Sequence, residues 1–111
     1  MVDAEARSGS LLNSGTVTTS NPSVYTVTNP ALTGATQDLI CAANTARRKL
    51  TVQNKTGASV WIGGVAVTNA GATTGYELID GAQYELNNSF ACYAYAAAAH
   101  AAGLLTVVEE T

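Results

Sequence analysis

Charge is scarce along this chain: five Lys and Arg and eight Asp and Glu are spread over 111 residues, about half the usual share. The cations Arg7, Arg47, Arg48, Lys49 and Lys55 are too few to neutralise a row of phosphates, so nucleic acid is not expected as a partner. Histidine occurs once, as His100. A zinc site needs three or four suitably spaced Cys, His or carboxylate ligands, so neither a metal nor a cofactor is expected. No run of 18 apolar residues exists, and MVDAEARSGS carries acidic residues where a secretory signal has a cationic start and an apolar centre. A soluble chain with no membrane partner is the expectation. Cysteine appears twice, Cys41 and Cys92, at a spacing that leaves a bridge and two separate thiols both open. The apolar settings LICAA and FACYA favour reduced, buried thiols.

The same shortages thin out catalysis. Cys92 and His100 form the one thiol and imidazole pair, with no recognisable orienting partner. Glu77, Asp80 and Glu85 cluster in sequence as a glycosidase pair would, but Glu77 and Glu85 take alternating strand positions beside a turn, where solvated charges normally sit. GASVWIGG and NAGATTG contain glycine without the GxxxxGK[ST] or GxGxxG form that cradles a phosphate. No catalytic, cofactor-binding or metal residues are assigned, and an enzyme is not expected.

What the chain does have is Ala, Gly, Thr and Val, in two textures. From Ser8 to Gln37 there is no charged residue, and twelve of those thirty positions are Ser or Thr. Residues 1–37 are therefore predicted to be an extended, neutral arm. It contains one β-capable piece, SVYTVTN, flanked by Asn21-Pro22 and Asn29-Pro30. Ordering such a segment costs roughly 1–2 kcal/mol per residue, so Val24, Tyr25 and Val27 become candidates for pairing with a neighbouring chain.

From Asp38 to Thr111 short alternating runs are separated by turn residues every eight to twelve positions, the pattern of an all-β antiparallel sandwich of jelly-roll or Greek-key type. KLTVQN turns Leu50 and Val52 one way, and SVWIGG turns Val60 and Ile62 inward. LLTVVEE puts Leu105 and Val107 on one face. Hairpins are predicted at Asn54-Lys55-Thr56-Gly57 and at Asp80-Gly81, and again across AAAAHAAG at 96–103, a stretch too short to hold a helix on alanine propensity alone, with one helical turn there as the alternative. Trp61, Tyr76, Tyr84, Tyr93 and Tyr95 exceed what a small sandwich core needs, which makes them candidates for subunit contacts. Arg47 and Arg48, beside Lys49 at the start of a strand, read as rim charges suited to an acidic patch on a protein partner.

The order ATQDLICAANTARRKLTVQNKTGASVWIGG, a Gly/Thr loop, YELIDGAQYEL, FACYAYAAAA and LLTVVEE resembles a group of small virion accessory proteins of tailed bacteriophages. In these, Ala-Asn-x-x-Arg-Lys/Arg-x-Leu-x-Val-Gln-Asn precedes a polar turn, a short Val-x-Ile-Gly-Gly-like strand and a strand–turn–strand unit. The likeness covers about residues 36 to 110. It implies a capsid decoration or cement subunit, made in the bacterial cytoplasm, that docks on the major capsid protein of the virion shell, often as a homotrimer, with a dimer as the alternative. Some such proteins serve instead as fibre or tail accessories, so a carbohydrate- or receptor-binding module is the second expectation. The resemblance transfers no functional residues.

Overall fold

The alternation in KLTVQN is kept in space: Leu50, Val52 and Asn54 are buried while Lys49, Thr51 and Gln53 are half-exposed. The structure, a computed structural model, describes residues 24–111; the first 23 residues of the expected arm lie outside them. Eight strands follow in chain order: β1 Tyr25–Thr28, β2 Thr36–Cys41, β3 Lys49–Asn54, β4 Val60–Gly63, β5 Tyr76–Leu78, β6 Gln83–Leu86, β7 Cys92–Ala96 and β8 Leu105–Glu110. One sheet has the order β1-β8-β3-β6 and the other β2-β7-β4-β5, with every pairing antiparallel. The pairs nest, first strand with last, second with seventh, third with sixth, fourth with fifth. That nesting defines a jelly roll, the first of the two sandwich forms expected.

The apolar inner faces make one core. Leu50, Val52, Val60, Ile62, Leu105 and Val107 are fully enclosed, and Leu32, Ile40, Leu78, Cys92, Ala94 and Ala96 complete the cluster. Burying side chains of this size contributes about 1.5–3 kcal/mol each for the larger ones.

Two expectations change at this level. The first is the boundary at Asp38. β1 pairs with β8 from Tyr25↔Glu110 to Thr28↔Val107, Leu32 is in the core, and β2 begins at Thr36, so the sandwich takes in residues 24–37. One edge of β1 is thus taken by β8 of its own chain. It was illegible as part of the domain because all four of its residues are exposed: the backbone ladder fixes its place, and no burial pattern marks it.

The second concerns the three predicted hairpins. β3 and β4, β5 and β6, and β7 and β8 lie in opposite sheets, so each connection is an arch between layers. The turn residues behave as read, with Gly57 at φ 88° and Gly81 at φ 83°, but a tight turn specifies reversal without specifying the plane. Asn54 sets the plane. Fully buried, its side-chain amide donates to the carbonyls of Ala58 and Leu78, both at 2.7 Å, and its Oδ1 accepts from Thr56 N at 2.9 Å and Thr56 Oγ1 at 2.7 Å. Its main chain ties in the next arch, Asn54 N donating to Ala82 O and Gly81 N to Asn54 O. The 97–104 connection contains no helix; it is held to the β1–β2 loop by reciprocal bonds between Leu32 and His100, both 2.9 Å.

Candidate functional site

β7 is inverted relative to an ordinary core strand: Cys92, Ala94 and Ala96 face the core, while Tyr93 and Tyr95 are left half-exposed. Small inner residues let the two sheets approach, and the large rings go to the outer face. Residues directly opposite in a ladder share a face, so register assembles that face. Gln37, Tyr95, Trp61 and Glu77 form one row across the four strands, and Leu39, Tyr93 and Gly63 the next. Trp61, Tyr93 and Tyr95 are half-buried and Leu39 is 52% exposed. The one carboxylate in these rows, Glu77, accepts a 2.7 Å bond from Ser59 Oγ.

The β4–β5 loop walls this face on one side. A Cβ on Gly63 would lie 3.0 Å from Val67 Cγ2, and a side chain on Gly75 would run into Val67 and Ile62 O. The two glycines thus let Val67 settle on the sheet, where it is 4% exposed outside the main core. An open cavity of about 440 Å³ lies beside it, lined by Gly63, Val67, Thr73, Thr74 and Tyr76 among others. Its two threonine hydroxyls are engaged by the loop itself, Thr73 Oγ1 with Thr68 Oγ1 at 2.6 Å and Thr74 Oγ1 with Gly71 O at 2.9 Å. They hold the loop's shape.

The other sequence-predicted residues are elsewhere. Tyr76 and Tyr84 stack at 4.9 Å between ring centroids, bridging β5 of one sheet and β6 of the other at the sandwich's open side. Burial, then the neighbouring Tyr76, pushes the Tyr84 phenol up. Val24, Tyr25 and Val27 stand exposed at the β1 edge. Arg48 is exposed.

Arg47 corrects the expectation of a rim charge. Its side chain has no exposed surface, and its guanidinium donates to Glu109 Oε2 at 2.9 Å, to the carbonyls of Asn88, Phe90 and Ala42 at 2.9, 2.8 and 2.6 Å, and to Cys41 Sγ at 3.2 Å. Five donors meet five acceptors, which is what allows a buried arginine. It joins the β2–β3 and β6–β7 connections to β8. Burial works to raise the Glu109 carboxyl, but bonds from Arg47, Asn44 and Cys41 and the charge of Arg47 hold it below the ordinary range.

Cys41 and Cys92 are opposite each other on β2 and β7 and are both free thiols. Burial raises both, Cys92 to about 11. Among the described residues no three His, Cys, Asp or Glu side chains gather as a metal site would need.

Of the ten interface candidates the fold thus gathers three, Trp61, Tyr93 and Tyr95, on one face. Gln37, Leu39 and Val67 belong to it too and were missed. The alternation of Ala and Tyr in ACYAYA did carry a signal, since alanine inside and tyrosine outside is as regular a pattern as the reverse. Leu39 was hidden by a bulge between it and Cys41, which breaks the period of two. No family model, curated protein or solved structure matches the chain.

Proposed function

We propose that this chain is a structural virion protein of a tailed bacteriophage. It binds the outside of the capsid and stabilises the shell by non-covalent contacts across adjoining major capsid protein subunits. The observation that carries the reading is the inverted strand β7, which gives its small residues to the core and its tyrosines to an outer face shared with Trp61 and Leu39. Such a face, half apolar and nearly free of charge, suits a protein surface of similar character. Each copy that binds only the assembled shell favours it by mass action, and copies repeated over the lattice add avidity. No reaction is required.

The same face supports a second reading, a carbohydrate- or receptor-binding module of a tail or fibre. Trp61 and Tyr95 are direct cross-strand neighbours, and adjacent aromatic rings can stack on sugars as well as on protein. Copy number separates the two. Quantitative mass spectrometry of purified particles should find the chain in hundreds per virion, spread over the shell in an image reconstruction; a handful of copies at the tail would favour the second reading and reject the first.

A further inference from the structure

Each sheet ends in two edge strands, and an unguarded edge pairs readily with another strand. Three of the four edges are guarded. β2 is bulged between Leu39 and Cys41 and carries Asp38, β5 has only three residues, and β6 carries Glu85. β1, Tyr-Thr-Val-Thr, has no charge, no proline and no register shift, and among the described residues its one strand partner is β8.

The phase of the ladder says which groups the open edge presents. Val24 N donates to Thr111 O at 3.1 Å and Thr111 N to Val24 O at 2.9 Å, so Thr26 and Thr28 also turn their backbone toward β8. Tyr25 and Val27 turn their N–H and C=O outward. Their side chains, opposite Glu110 and Val108, lie on the outer face of the sheet and are 64% and 57% exposed.

We propose that this edge docks a second copy of the same chain, antiparallel, about a two-fold axis through Thr26. The sequence Tyr25-Thr26-Val27 is self-complementary in that register. Tyr25 of each copy meets Val27 of the other in a hydrogen-bonded pair, giving four main-chain bonds and two aromatic–β-branched contacts, and Thr26 meets Thr26 on the opposite face. Both kinds of cross-strand pair are favourable. No charge lies on either docking strand, and the carboxylates Glu109 and Glu110 stand one strand behind. The contact joins two four-stranded sheets into one of eight, an isologous interface. It does not depend on capsid binding, and its symmetry differs from that of the trimer implied by the resemblance.

The full-length chain tests this by sedimentation equilibrium and cross-linking. The wild type should sediment at twice its 11.3 kDa. Val27→Pro removes an outward N–H while sparing the bonds to β8, and Tyr25→Lys places a charge at the edge; each should give a monomer with unchanged sheet content by circular dichroism. Thr26→Cys should form a covalent dimer under mild oxidation, because residues opposite in a non-hydrogen-bonded pair have Cα atoms about 4.5 Å apart, within disulfide range. Tyr25→Cys, which faces Val27 in this register, should not. A wild type that stays monomeric would overturn the proposal, as would an oligomer that survives Val27→Pro and Tyr25→Lys or gives no Thr26→Cys cross-link. Trimers built on another surface, and an edge occupied by residues 1–23, both fall among those outcomes.

Discussion

Arg47 and Asn54 do at opposite ends of the sandwich what a turn sequence alone cannot. Each is a buried polar side chain that gathers carbonyls from separate segments of the chain. Removing one side of such an arrangement strands the other, so Arg47→Met should destabilise the fold by about 3–5 kcal/mol in chemical denaturation, through an unpaired Glu109. Asn54→Leu should cost about 1–3 kcal/mol for each carbonyl left unpaired. Acid dependence follows from Glu109. Its carboxyl is held lower in the folded chain than in the unfolded one, so its stabilising effect is complete above the ordinary glutamate range and is lost as pH falls through that range and below. Thermal melts should show this acid slope in the wild type and a shallower one in Glu109→Gln. Cys92, raised to about 11, should stay unreactive to iodoacetamide at neutral pH in the native protein, while two thiols titrate after denaturation. The basic triplet showed in the sequence only as charge; nothing local distinguishes an arginine with five interior acceptors from one in water.

At the scale of the strand, residue alternation was legible wherever one face was apolar, as in β3, β4 and β8, where Leu50 with Val52, Val60 with Ile62 and Leu105 with Val107 were each placed on a common face and are all buried. Two kinds of element were not legible. β1 has no buried residue to mark it, and the arches share their turn chemistry with hairpins, so strand partners had to be decided by long-range pairing. β7 lies between these cases, because its pattern is regular but its sense is reversed. Ala94 and Ala96 have no exposed surface, so Ala94→Leu should overpack the space between the sheets and cost about 1–3 kcal/mol. Tyr95→Ser, on the outer side of the same strand, should leave the melting temperature nearly unchanged. Equal losses from both would show that the tyrosines serve the fold instead of the surface.

For the whole molecule, the jelly roll of the described residues is a frame that carries one apolar outer face and one unguarded edge. The two features divide the work proposed here: the face meets the capsid, and the edge meets another copy. The most direct measurement is a binding titration of full-length protein onto capsids that lack it, comparing wild type with Trp61→Ala and Tyr95→Ser. Truncating aromatic anchors at the centre of a protein contact should weaken binding by about 1–3 kcal/mol each, roughly five- to 150-fold, with little change between low and high salt because the face is nearly uncharged. Variants that fold normally and decorate capsids as tightly as wild type would contradict the assignment of this face as the docking surface.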